Sequence, residues 1–153
     1  MLRKVLVPTD FSPGYEGAVL AFERRNELPV GEVVLLHVVE EDRVEVLEDI
    51  SEFEKGEVTV DDVERELVEL AERRLETERE RLKRAFRTAK VKVLVRVGVP
   101  WKEIVNVANE EDVSLIFLPS HGRLGFSREL LGSTTMRVLK ETSKPVLIIK
   151  AGG

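Results

Sequence analysis

The chain contains no cysteine. Disulfide bonds, cysteine-ligated zinc and thiol catalysis are therefore all excluded. Histidine is almost absent as well: His37 and His121 are the two, too few for a metal centre built from imidazoles. Aromatic residues make up 5% of the 153 positions, so valine, leucine and isoleucine must do most of the packing. No apolar run approaches the roughly 20 residues that cross a bilayer, and Met1-Leu2-Arg3-Lys4 leads into an apolar segment without a cleavage pattern. The expected location is the cytoplasm. A net charge of −5 argues against nucleic acid or an anionic membrane as partner.

The 42% of hydrophobic residues is enough for one full core, and the length suits a single domain over residues 1–153. Charged residues reach 35%, above the usual quarter or so, which fits a heavily solvated surface carrying ion-pair networks.

Along the chain, short apolar runs alternate with helical patterns. Residues 2–8 read as a buried strand, and Pro8-Thr9-Asp10-Phe11-Ser12-Pro13-Gly14 breaks it. Ala18, Val19, Phe22 and Leu28 give a helix over 15–28, with Ser12 as N-cap, Pro13 at the first helical position, and Pro29 and Gly31 as its stop. Residues 33–39 are continuously apolar, as in a strand covered on both faces. An acidic stretch, 40–57, reads as a loop. A long helix is predicted from 60 to 89, with Val60, Val63, Leu67, Leu70, Ala71, Leu75, Leu82 and Phe86 on one stripe. Its acidic front and basic back complement the helix dipole, and the charges read as a solvated face. Strands at 91–97, 114–118 and 145–149 are separated by helices at 101–111, with Ile104, Val105 and Ala108 inward, and near 133–142. This alternation predicts one parallel sheet with helices on both faces and right-handed crossovers.

In such a sheet, ligands bind beyond the carboxyl ends of strands, and two strand ends carry unusual chemistry. At the first, Pro8 fixes the exit path and Thr9 and Asp10 add a hydroxyl and a carboxylate, fit either to stabilise the turn or to meet a ligand. At the second, Pro119-Ser120-His121-Gly122 is followed nine residues later by Gly132-Ser133-Thr134-Thr135. Glycines allow close backbone approach, and hydroxyls beside the uncommitted N–H groups of a helix start make an anion site. A plain N-cap by Ser133 is the simpler alternative. Neither a G-x-x-x-x-G-K-[ST] loop nor a G-x-G-x-x-G turn is present.

These residues resemble the universal stress protein family over nearly the whole chain. The resemblance rests on Lys4 through Ser12, Val34 through Val38, Val97 through Pro100, Leu118 through Thr134, and Lys144 through Ile148. The G-x2-G-x9-G-[ST] signature of the family's ATP-binding branch falls on Pro119, Gly122, Gly132 and Ser133, with its spacing intact and proline in place of the first glycine. The resemblance implies an open five-stranded α/β parallel sheet of order 3-2-1-4-5, similar to the adenine nucleotide alpha hydrolases, with its switch point between strands 1 and 4. It implies ATP or AMP as ligand, accompanied by Mg or Mn. Asp10 and the Val38 backbone would hold the adenine end, lined by Pro8 and Thr9, with Leu118 nearby. Gly122, Gly132, Ser133 and Thr134 would cradle ribose and phosphates beside Pro119 and Ser120, with His121 and Arg123 reaching phosphate oxygens. A homodimer through the apolar last strand is the expected assembly. The competing readings are a nucleotide-free dimeric interaction protein and a slow ATPase, for which His121 is the one base at the phosphate end.

Overall fold

The computed structural model describes residues 2–25, 29–42, 59–120 and 131–150. Five strands, β1 (Leu2–Pro8), β2 (Val30–Glu40), β3 (Val91–Gly98), β4 (Leu115–Pro119) and β5 (Val146–Ile149), form one sheet. Its order is β3-β2-β1-β4-β5 and every pairing is parallel. Among the described residues the helices that join them are α1 (Pro13–Arg25), α2 (Val60–Ala85), α3 (Pro100–Glu110) and α4 (Ser133–Glu141).

The continuous apolar runs resolve into two interleaved faces, because successive side chains on a strand point to opposite sides. Val5, Val7, Val33, Leu35 and Phe117 face one way and pack with Tyr15 and Val19 of α1 and Leu75 and Leu82 of α2. Leu6, Val34, Leu36, Ile116 and Leu118 face the other way, toward Ile104 and Val107 of α3 and Val138 of α4. Both faces are covered, so neither has reason to alternate polar with apolar.

Helix boundaries follow local chemistry. Ser12 caps α1 as expected: its Oγ accepts from the Tyr15 amide at 3.4 Å, and its carbonyl from the Glu16 amide at 3.1 Å. Thr59 caps α2 in a reciprocal box with Asp62. That helix stops at Ala85 rather than residue 89. Arg87 adopts the left-handed conformation (φ 53°), and the Thr88 amide turns back to the Lys83 carbonyl at 3.0 Å. Val60 and Leu70, expected on the inward stripe, are exposed. On α3 it is Val107, not Val105, that is fully buried beside Ile104 and Ala108. Gly31 lies inside β2 rather than in a helix stop, and only glycine fits there: a Cβ would come within 2.5 Å of the Arg3 carbonyl oxygen.

The amino end of the sheet is closed by charge. Lys4 Nζ lies 3.5 Å from Glu32 Oε1 and 3.6 Å from Glu111 Oε1; Lys92 Nζ lies 2.9 Å from Glu111 Oε2; Lys144 Nζ lies 2.6 Å from Asp112 Oδ1. The hydrogen bond from Lys92, with the charges of Lys92 and Lys4, holds the Glu111 carboxyl below its ordinary range against the opposing effect of burial. A carboxyl with a depressed native pKa adds stability that is present above the unfolded value and is lost as pH falls through the native one. Glu111→Gln is expected to lower unfolding free energy by about 1 kcal/mol at neutral pH. The urea midpoints of variant and parent should converge as pH falls below the carboxylate range.

Candidate functional site

The β1–β4 ladder is short. It pairs Val5 with Leu115 and Leu6 with Ile116, although β1 runs on to Pro8 and β4 to Pro119. The cause lies in which way the next amides point. The Thr9 amide donates to the Leu36 carbonyl of β2 at 2.8 Å, so the preceding residue, Pro8, turns its nitrogen toward β4. The Ser120 amide donates to the Ile149 carbonyl of β5 at 3.0 Å, so Pro119 turns its nitrogen toward β1. The next two rungs need amide hydrogens at those two positions, and proline has none. The ladder ends there, at the switch point of the strand order, where an open α/β sheet has its crevice. Proline at the signature's first position thus removes no bond to β5.

On the β1 side of this crevice the chain makes a compact turn. Thr9 is buried, and its Oγ1 accepts from the Phe11 amide at 2.9 Å. Asp10 Oδ1 accepts from the Ser12 amide at 3.0 Å. His37 Nδ1 lies 2.7 Å from the Thr9 carbonyl oxygen; since a carbonyl only accepts, that nitrogen carries the proton. Phe11 sits in the left-handed region at φ 60°, a conformation that costs a side-chained residue on the order of 1 kcal/mol. The turn role and the ligand role weighed for Thr9 and Asp10 are therefore not exclusive: both residues shape the turn that presents Asp10.

On the β4 side, the start of α4 is tied to the strand end. The Gly132 amide donates to the Ser120 carbonyl at 2.8 Å, and the Thr135 hydroxyl to the Pro119 carbonyl at 2.9 Å. The N-cap of α4 is Gly132 rather than Ser133, and no side chain caps it. The first bond of the helix runs from the Met136 amide to the Gly132 carbonyl, so the amides of Ser133, Thr134 and Thr135 have no intrahelical acceptor. Ser133 and Thr134 are exposed, while Thr135 is buried.

Pro8, Thr9, Asp10, Pro119, Ser120, Gly132, Ser133 and Thr134 thus gather at the carboxyl end of the sheet, around neighbouring strands. Val38 lies near the carboxyl end of β2, and Leu118 is buried against α3 and α4. His121, Gly122 and Arg123 lie outside the described residues. Sequence reasoning left three participants out of the site. Thr135 was visible as the third hydroxyl of a row but not as the one turned inward. His37 lies inside an apolar run, and its bond to the Thr9 backbone has no sequence signal. Phe11 gave no sign of its positive φ. Among the described residues no group of three or more His, Asp and Glu side chains could hold a metal ion, and no helix is long and apolar enough to cross a membrane.

Comparison with known proteins adds to this geometry. The family model for the universal stress protein family matches residues 1–150. Universal stress protein MJ0577 of Methanocaldococcus jannaschii is 35% identical over 98% of this chain and 96% of its own length. The crystal structure of hypothetical protein PH0823 superposes with a TM-score of 0.83 at 51% identity, covering 99% of this chain and 97% of that one. An Arabidopsis thaliana universal stress protein family protein with AMP bound is 16% identical, with a TM-score of 0.57 over 99% of this chain and 93% of its own; that likeness is one of fold.

Thr135 is the joint between α4 and β4. Thr135→Val keeps the shape, removes the hydroxyl and leaves the Pro119 carbonyl without this donor. A loss of about 1–2 kcal/mol in urea unfolding is expected; an unchanged midpoint would show that the bond does not hold the helix start.

Proposed function

The chain belongs to the universal stress protein family, and on that premise we propose that it binds ATP or a related adenine nucleotide such as AMP in the β1–β4 crevice, as a module that signals stress or energy state. The observation that carries this reading is the pairing of a ladder that ends early with an uncapped helix start: the β1–β4 pairing stops at Leu6 and Ile116, before Pro8 and Pro119, and α4 begins beside that strand end with no side-chain cap among the described residues. A phosphate there meets N–H donors and the positive end of the helix dipole. Gly132, Ser133 and Thr134 are assigned to ribose and phosphates together with Gly122, and Pro119, Ser120, His121 and Arg123 to the rim. Asp10 and the main chain of Val38 are assigned to the base, with Pro8, Thr9 and Leu118 as its walls. The Arabidopsis protein with AMP bound supports an adenine nucleotide as the ligand class of this fold.

Magnesium or manganese is assigned to the triphosphate it accompanies. Two copies are assigned to pair through β5, whose residues Val146 to Ile149 are all apolar and only half-buried on an edge strand. The protein is assigned to the cytoplasm.

Isothermal titration with ATP, with and without magnesium, tests the reading. Saturable heat is expected from the unaltered protein, and Asp10→Ala should weaken binding at least about tenfold, or ~1.4 kcal/mol. No heat from the unaltered protein, with heat appearing in Pro119→Gly, would contradict it and favour the nucleotide-free dimer.

A further inference from the structure

The turn that carries Asp10 is touched from outside by a side chain of α2. The Phe11 ring lies against His37, with centroids 4.6 Å apart and planes at 37°. The guanidinium carbon of Arg74, from the middle of α2, lies 3.9 Å from the centroid of the Phe11 ring. Arg74 is itself exposed, and Glu78, one turn later on the same helix, attracts it. Phe11 thus touches both Arg74 and His37, and His37 donates to the Thr9 carbonyl.

We infer that Arg74 is a positioning residue for the nucleotide site: by clamping Phe11 against His37 it locks the Thr9–Ser12 turn in the conformation that presents Asp10. Phe11 needs such a clamp. Its left-handed backbone is disfavoured for a bulky side chain and persists only where its surroundings over-determine it. The Thr9 hydroxyl and the Asp10 carboxylate hold the amides of Phe11 and Ser12. The Arg74 guanidinium lies over the ring, a contact that a lysine ammonium matches only in part. Phe11 and Arg74 are 63 positions apart in the chain, so this contact ties α2 to a turn distant from it in sequence. The effect on affinity rests on the proposed nucleotide binding; the locking of the turn does not.

Amide hydrogen exchange on the ligand-free protein, followed by ATP titration, separates the two. In Arg74→Ala the amides of Phe11 and Ser12 are expected to exchange severalfold faster, while those of Val7 and Leu35 in the sheet stay as protected as before. ATP affinity should fall about three- to tenfold, and Arg74→Lys should recover part of both effects. Equal exchange at Phe11 and Ser12 in Arg74→Ala and its parent overturns the clamp, whether or not ATP binds. Faster exchange with unchanged ATP affinity overturns the positioning role. Faster exchange in a protein whose parent binds no ATP supports the clamp and removes the nucleotide reading instead.

Discussion

Two amide hydrogens that do not exist shape the business end of this protein. Parallel strands stay together while each can donate to the next, and β1 and β4 stop doing so where Pro8 and Pro119 turn their nitrogens toward one another. On their outer sides the same strand ends remain bonded, Thr9 to β2 and Ser120 to β5. The sheet therefore opens along one seam without fraying elsewhere. Among the described residues, Pro8, Thr9, Asp10, Pro119 and Ser120 sit at that seam, and the start of α4 is tied to it.

The two ends of the sheet divide the work. At the amino end, Lys4, Lys92, Glu32 and Glu111 join three strands and the turn after α3 by mutual attraction. At the carboxyl end, polar groups are spent on turns and helix starts: Asp10 on Ser12, Thr9 on Phe11, Thr135 on Pro119. The core between is not uniformly satisfied. Tyr15 is buried, and its hydroxyl has no hydrogen-bond partner among the described residues; burial first, then the nearby Glu78 and Glu16, pushes its phenol well above the ordinary range. It lies between α1 and α2, the two helices that flank the Phe11 turn.

The strands were legible because five short apolar runs separated by helical patterns admit few other architectures. Their positions hold to within a few residues, with β2 beginning earlier, at Val30, than its apolar run. The strand order was legible only through the family resemblance, since no residue announces its neighbour in a sheet. The helix ends show where periodicity runs out: the pattern toward residue 89 continues past Ala85, but Arg87 leaves the helical region, and a sequence does not display the sign of φ. The described residues of the two strand-end motifs lie together at the carboxyl end of the sheet. They did not tell which of three adjacent hydroxyls turns inward, that Gly132 rather than Ser133 stands at the N-cap, or that Pro119 points at Pro8. Each of those depends on a contact between segments distant in the chain, and the last gives the substituted position of the signature a role in ending the β1–β4 ladder.

The central claim is that the Asp10 turn and the start of α4 are two walls of one site. Titration of ATP into nitrogen-15-labelled protein, read amide by amide, tests it most directly. The account predicts that the amides of Asp10, Phe11 and Ser12 and those of Ser133, Thr134 and Thr135 shift together and saturate with a single dissociation constant. Shifts confined to one wall, or two walls saturating at different concentrations, would contradict it.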